Sequence, residues 1–504
     1  MKTISSLIIL ILLFTLTNFT NAQWVEIGND IDGEAPGDKS GCSVSINHDG
    51  SIVTIGATLN HGYNGDSLYS GQVRVYFNNS GTWLQLGNDI DGENQFHCSG
   101  ISVDIDSTGN TIAVGAHSNS SGYTDGGYVK VYENNGGNWI LKGNKIQDPP
   151  DFSGDAGQSV SLSSDGNTVA VGAPDNSNIN GTSSGQVRVY EFNGIDWIQK
   201  GNSIYGDNAG DNAGRSVIIN SEGSIVAIGS PYNDDNGNYS GHVRIFEYLT
   251  GSWVQMGSAI VGVDSLNYSG RSISLSSDGL TIAIGAPNNI GIDTTGHVRI
   301  FEYTGGIWQQ KGSDIEGETK YSESGFSVSL SSDGNIVAIG APYNGWPSSV
   351  NGHVRIYAYT TGMWQQIGGD IDGEASFDEF GYSVSLSSDG NIVAVGAMNN
   401  DGADTTDSGR GHVRIYNFAT GINENITDSH FSIYPNPTTG LVIIKNEECR
   451  MNNVSVFDIY GKEVLETEVG SQKTEIDLSK EAKGIYIIKV TTNKGVVVEK
   501  IILE

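Results

Sequence analysis

One tryptophan register dominates the chain: Trp24, Trp83, Trp139, Trp197, Trp253, Trp308 and Trp364 recur every 55 to 59 residues, each inside nearly the same text. A fixed period of this length marks a repeat architecture, in which no unit can bury its own apolar face and each stacks on its neighbours. Residues 325–373 give the clearest copy. Within it the runs SVSLSS, NIVAIGA, GHVRIYAY and WQQIGG alternate apolar and polar residues at period two, the pattern of half-buried strands. The first two are joined through Asp333-Gly334, a dipeptide suited to a tight hairpin turn. Four strands make one propeller blade. Seven units predict an all-β, seven-bladed β-propeller, an arrangement that leaves only short sheet edges.

The ends of the array predict how the ring closes. After the last third strand, His412 to Phe418, the text runs ATGINENITD without a Trp, so the seventh blade lacks its outer strand. Trp24-Val25-Glu26-Ile27-Gly28 has no blade of its own and can fill that place. Each Trp is expected to pack between blades as core.

Residues 1–22 carry Lys2, an apolar run from Leu7 to Leu16 and a small-residue end at Thr20-Asn21-Ala22, the layout of a secretory signal peptide cleaved after Ala22. No later segment is apolar enough to span a bilayer. The formal charge of −32 repels phosphate backbones and anionic membranes, so nucleic acid is not an expected partner. Three cysteines, Cys42, Cys98 and Cys449, are too few for a disulfide framework. Cys42 and Cys98 fall near the first strands of adjacent blades, where a disulfide and two unbonded small residues are the alternatives.

The reading therefore divides the chain into a signal peptide (1–22), the propeller (23–420), a linker (421–430) and a C-terminal domain (431–504). The last has strand runs of its own, enough for a small β-sandwich. It resembles the C-terminal sorting domain of the type IX secretion system of Bacteroidetes, through Tyr434-Pro435-Asn436-Pro437 followed by Gly440, then VFDIYGKEV, the stretch Gly484-Ile485-Tyr486, and Lys500-Ile501-Ile502-Leu503. The resemblance implies that type IX secretion machinery is a partner. It also implies delivery through the periplasm to the outer-membrane surface or the extracellular space.

The array is similar to the FG-GAP repeats of integrin α-subunit heads. Gly325-Phe326-Ser327-Val328 and Gly340-Ala341-Pro342 carry the likeness, with Gly-Ala-Pro again at 172–174 and 285–287 and Gly229-Ser230-Pro231 close to it. Calcium-binding members carry several Asp residues in the first turn of a blade. Here SSDGN, HDGS, STGN and SEGS offer one carboxylate or none, too few for an ion that takes six or more oxygens, so that function is not carried over.

Other candidate chemistry is sparse. Asp-Ile-Asp-Gly-Glu occurs at 30–34, 89–93 and 370–374, and if extended its alternating acids could share a calcium ion. Asp30, Asp32, Glu34, Asp370, Asp372 and Glu374 are the ligands considered, against solvated acidic connections as the alternative. No other cofactor is indicated. His242, His297, His353 and His412 repeat in one Gly-His-Val-Arg slot, and Arg74, Arg188, Arg244, Arg299, Arg355 and Arg414 recur likewise, which argues for structural contacts. His61, His97, Cys98 and His117 break the repeat and are of types that bind zinc or copper. No nucleophile elbow, phosphate loop or zincin helix is present, and no catalytic residue is assigned.

Strand alternation sends the second-to-third loops and the blade-to-blade connections to one face, where variable loops on a rigid scaffold place binding. Trp346, Tyr343, Tyr232, Tyr239, Tyr63, Tyr69 and Tyr123 lie in those loops and are the expected contacts for an extracellular glycan or protein. The function expected is a surface or secreted binding and adhesion module. A carbohydrate-active enzyme on the same scaffold and a structural surface-layer protein are the alternatives.

Overall fold

The computed structural model describes residues 23–61, 68–117, 126–147, 155–287, 295–346, 350–401, 409–419, 431–446, 450–458, 462–492 and 496–504. Gln23–Phe418 forms one compact unit and the tail belongs to another. Among the described residues the first unit holds seven sheets of five strands each, a seven-bladed β-propeller. In one blade Ser327–Leu330, Ile336–Ala341, His353–Thr360 and Met363–Gln366 pair as an antiparallel meander. A fifth strand of two residues, Ile371–Asp372, continues the outer edge by pairing with Val354 and His353.

This fifth strand was not expected, and it explains the acidic motif. Ile31, Ile90, Ile146, Ile204, Ile260, Ile315 and Ile371 are all buried at that position, so the motif is held by its isoleucine while its acids surround it. The first turn is also looser than a two-residue hairpin. Residues 331–335 form a five-residue loop in which only Gly334 needs positive φ (65°), and the Asp333 carboxylate accepts from Ser331 Oγ at 2.7 Å and the Asn335 amide at 3.0 Å. The one carboxylate in the turn thus satisfies the turn's own donors.

Period two places the core between blades. On strand Ile336–Ala341, Val337 and Ile339 join Val298 and Ile300 of the preceding blade, while Ala338 joins Val393 and Val395 of the next. The first and last blades share a core in the same way, through Val53 and Ile55 with Val413 and Ile415.

Three hydrogen-bond circuits then run round the ring. Each Trp Nε1 donates to the backbone carbonyl three residues beyond the preceding Trp, at 2.6 to 3.0 Å, from Trp83 to Ile27 through to Trp24 to Ile367. Each innermost strand's Ser Oγ donates to a Gly carbonyl of the next blade at 2.7 to 2.8 Å, ending with Ser383 to Gly41. On the turn face, backbone amides link His48, Ser107, Ser164, Ser221, Ser277, Ser332 and Ser388 in order and return to His48, at 2.8 to 3.2 Å.

The closing strand belongs to two of these features. Gln23–Glu26 lies beside His412–Ala419 as the outer strand of the seventh sheet, Ile27 N donates to Ile415 O at 2.7 Å, and Trp24 packs on Phe418 at 5.1 Å between ring centroids. Burial of the tryptophans is uneven: Trp197 and Trp253 are buried, the other five only half-buried.

The second unit comprises, among the described residues, a three-stranded and a four-stranded antiparallel sheet. Val442, Ile444, Val454, Val456, Ile488, Val490, Ile501 and Leu503 alternate inward to form its core, a small β-sandwich.

Deleting residues 23–28 removes the outer strand, one indole donor and the acceptor for another. The thermal midpoint should fall by well over the few degrees that a single surface change produces, and calorimetry on the truncated chain checks it. An unchanged midpoint would mean that closure does not depend on this strand.

Candidate functional site

Each innermost strand is entered through Gly-X-Ser, and the circuits above explain its fixed members. The Gly supplies the carbonyl to which the neighbouring blade's Ser Oγ donates. It is also crowded: a Cβ on Gly56, Gly115, Gly172, Gly229, Gly285, Gly340 or Gly396 of the second strand would run into that same carbonyl oxygen of the next blade. The two glycines that carry the FG-GAP resemblance therefore meet across the blade interface. The residue between is unconstrained by these contacts and is read as Cys42, Ile101, Gln158, Arg215, Arg271, Phe326 and Tyr382 around the ring. With the strands below them, these side chains line an axial cavity of about 290 Å³.

A second register stands behind the first. Lys39, Cys98, Asp155, Asn212, Tyr268, Glu323 and Glu379 all have φ between 46° and 60°, a left-handed conformation that costs a non-glycine residue about 1 kcal/mol. The cause is a tight turn present in every blade, in which the carbonyl of this residue accepts from the amide of X at 3.0 to 3.2 Å. Each turn fixes an inner and an outer side chain together. The outer one faces the second residue after the second strand of the preceding blade: Asn212 Nδ2 donates to Asp175 Oδ1 at 2.7 Å, Tyr268 meets Tyr232 at 5.5 Å, and Glu379 acts electrostatically on Tyr343. Second-to-third loops and blade-to-blade connections thus meet on one face.

Reactive chemistry gathers on one arc of this mouth. The Arg271 guanidinium lies 4.9 Å from the centre of the Phe326 ring, which is 4.8 Å from Tyr382 and 6.4 Å from Tyr343. Burial raises the Glu323 carboxyl to about 7, with Arg271 pulling it down and Glu379 pushing it up. Burial also raises Glu379, against Lys39, Asn399 and Tyr343, which favour its charged form. Arg215 is lowered to about 10 by burial and by the like charge of Arg271. Burial and the two glutamates raise the Tyr343 hydroxyl. A carboxyl poised near neutrality beside guanidinium and aromatic groups is the kind of perturbation that accompanies functional sites.

The aromatic residues expected at the binding face distribute as follows. Tyr343 lies at the mouth, and Trp346 is exposed on the same loop. Tyr232, Tyr239 and Tyr268 form a three-ring cluster with centroids 5.5 to 5.8 Å apart. Tyr69 is exposed between His61 and Phe96. Tyr63, Tyr123, Cys449 and the signal peptide with Ala22 lie outside the described residues. The inner ring of X residues was missed by sequence reasoning, although its signal was present: a non-repeating column between two repeating ones.

The acids of one Asp-Ile-Asp-Gly-Glu copy do not act together. Asp30 is gripped by Arg414 through Nε and Nη2 at 2.8 Å each, and Glu374, from another copy, pairs with the same guanidinium. His412 Nδ1 is 3.7 Å from Asp30. One blade earlier, Arg355 holds Glu318 at 3.3 Å while His353 Nδ1 is 3.8 Å from Asp370. Both groups have the makings of a cation site, but calcium would have to compete with a guanidinium already on the carboxylates. Glu34 turns to Gln72 and Arg74, and Asp32 and Asp372 are exposed on their two-residue strands. Burial lowers His353 and His412 to about 4, so both are neutral at pH 7. The repeated arginines make the structural contacts expected of them: Arg74, Arg244, Arg299 and Arg355 each donate to a backbone carbonyl at 2.7 Å.

His61, His97, Cys98 and His117 do not assemble into a ligand group among the described residues. His61 packs on Tyr69 and His97 on Tyr128. Cys42 and Cys98 form no disulfide: Cys42 lies in the innermost ring with its Sγ 3.3 Å from Gly56 O, whereas Cys98 is held in the outer register.

In the tail the signature residues converge. Asn436 Nδ2 donates to Lys500 O at 2.7 Å and its Oδ1 accepts from Ile502 N at 2.9 Å. Pro435 and Pro437 flank that Asn, and Thr438 exchanges backbone bonds with Ile502 and Glu504. Tyr486 Oη donates to Ala482 O at 2.7 Å, and Gly484, Ile485 and Tyr486 pair with Leu503, Ile502 and Ile501. A Cβ at Gly440, where φ is 140°, would meet Ser479.

Residues 432–504 match the model of the secretion system C-terminal sorting domain, and residues 371–414 match that of the FG-GAP repeat. The sorting domain marks the chain for export to the cell surface or extracellular space, with the secretion machinery as its partner. No curated protein matches the chain. Among solved structures it is similar to a putative 6-phosphogluconolactonase from Bacteroides uniformis, at 14% identity and a TM-score of 0.45 over 67% of this chain and 86% of that one. It is also similar to the periplasmic gluconolactonase of Pseudomonas aeruginosa, at 15% identity and a TM-score of 0.44 over 66% and 86%.

Two expectations follow. Because the folded-state value of Glu323, about 7, lies above its ordinary 4.5, its contribution to stability is fully present below pH 4.5 and is lost as pH rises through 7, by up to ~3 kcal/mol. Glu323→Gln should therefore raise the melting temperature at pH 8 and not at pH 4.5; a difference that ignores pH would show that this carboxyl titrates normally. Removing residues 431–504 should leave the ring in the periplasm on cell fractionation, and normal surface or medium levels would contradict that.

Proposed function

We propose that this chain is an exported binding module whose ligand seats at the axial mouth of the propeller. The supporting observation is the contrast between registers. Gly and Ser recur in all seven blades on either side of a position where no residue type occurs more than twice, and those variable side chains line the cavity. A scaffold that fixes its backbone so tightly and varies its axial side chains so freely presents one composite surface. The outer register of constrained residues enlarges it, and the loop bearing Tyr343 and exposed Trp346 borders it.

A carbohydrate-active enzyme at the same place is the second reading. Glu323 near 7 beside Glu379 is the ingredient that favours it, since acid–base work needs a carboxyl poised near the working pH.

A panel of polysaccharides and host glycoproteins tests both readings. Saturable binding without turnover supports the module, turnover supports the enzyme, and neither outcome leaves a structural surface protein. With a ligand in hand, Trp346→Ala should weaken binding severalfold while the melting temperature stays within a degree or two. Unchanged affinity would remove Trp346 from the surface.

A further inference from the structure

Two sets of arginines in this ring contrast. Arg74, Arg244, Arg299, Arg355 and Arg414, on third strands, all have oxygen partners within 2.8 Å. Arg215 and Arg271, on first strands of adjacent blades, are different. Both line the axial cavity, and among the described residues neither has a carboxylate within 4 Å or a side-chain hydrogen bond to any acceptor. They are close enough for Arg271 to depress Arg215.

Two like charges set side by side, half-buried and without acceptors, are unfavourable unless something else supplies the anion. Guanidinium forks match a planar carboxylate two bonds at a time. Beside them Phe326 and Tyr382 form an apolar wall of the same cavity. At about 290 Å³, the space lies at the lower edge of small-molecule sites, room for one ring and not for a chain segment. Glu323 and Glu379 act electrostatically on this arc, and one Glu379 oxygen is buried without a hydrogen-bond partner. Neither carboxyl is among the residues that line the cavity, and both oppose a second negative charge in it.

Resting on the mouth as the ligand site, we infer that Arg215 and Arg271 seat the carboxylate of a single acidic sugar, a uronate, whose ring lies against Phe326 and Tyr382. The charge preference is for one negative charge carried on a polyhydroxylated ring. The lone carboxylate pairs with the guanidiniums while the hydroxyls face the serines of the same lining.

Titration calorimetry on the full secreted chain tests this with D-galacturonate, D-glucuronate, D-glucose and inorganic phosphate as probes. A uronate should bind at least about tenfold more tightly than glucose or phosphate. Arg215→Gln and Arg271→Gln should each lower uronate affinity about tenfold, and Arg→Lys at either position should recover only part of it. Melting temperatures of these variants should hold or rise, because each relieves a like-charge contact; a variant that loses its fold is replaced by the Lys form for the comparison. Phosphate binding as tightly as uronate would overturn the assignment in favour of a general anion site. If neutral sugars bind and Tyr382→Ala weakens them while the Arg variants do not, the mouth stands as the site and the carboxylate seat fails. If none of the four probes binds but a panel glycan binds in a way insensitive to Arg215, Arg271 and Tyr382, both the seat and the mouth fail.

Discussion

The indole-to-carbonyl bond between adjacent outer strands is the contact on which the ring most visibly depends. Each blade is a twisted sheet with apolar residues on both faces, and neither face is covered until two neighbours are in place. The bond sets the spacing at the rim while the Ser-to-Gly bond sets it at the axis, so adjacent sheets are held at both ends of their common core. A single hydrogen bond contributes about 1 kcal/mol. Fourteen of them in two closed circuits also remove the freedom of any one blade to slide, because a shift at one interface must be taken up at the next. Trp24 matters beyond its own burial for this reason: it joins the last outer strand to the sixth blade, while Ile27 accepts from Trp83 of the first.

Tight closure has a consequence for chemistry. Glycine is required where second strands cross the neighbouring carbonyl, and serine where the first strand reaches over, so those columns cannot vary without disturbing the ring. The X column between them bears no such load. Its backbone is nonetheless positioned by the same turn in every blade, with a left-handed residue three positions before it. Seven strained turns would be a burden on a purely structural ring. They are tolerated here where each sets one side chain at the axis and another against the preceding blade's loop, and strain that clusters around a cavity is an indication of function.

Much of this was legible in the chain. The period of the tryptophans, the four alternating runs and the orphan outer strand at the start lead directly to seven blades closed by residue 24, because period and alternation report burial and burial builds the fold. The acidic motif's charges do not reveal its structural role. Its aspartates are conspicuous, but Ile31, Ile90 and Ile371 are what the sheet buries, and a two-residue strand is too short to leave a periodic trace. Arg215 and Arg271 escaped notice for a related reason. They occupy a column without a pattern, and in a repeat protein the eye follows what recurs.

The charge distribution sharpens the contrast between the two kinds of arginine. On third strands the guanidiniums meet carboxylates and carbonyls of the acidic connections, as with Arg414 between Asp30 and Glu374, so the rim's own acids neutralise them. At the axis the first strands bring mostly serine and apolar residues, and two cations stand in a cavity inside a chain of formal charge −32. An acidic exterior repels anions in general and slows their approach, with an effect that salt screens within about 8 Å at physiological ionic strength. An anion that does reach the mouth meets guanidiniums with fewer competitors for them. The same field that makes the surface a poor partner for polyanions therefore favours a small, singly charged ligand over a large or highly charged one.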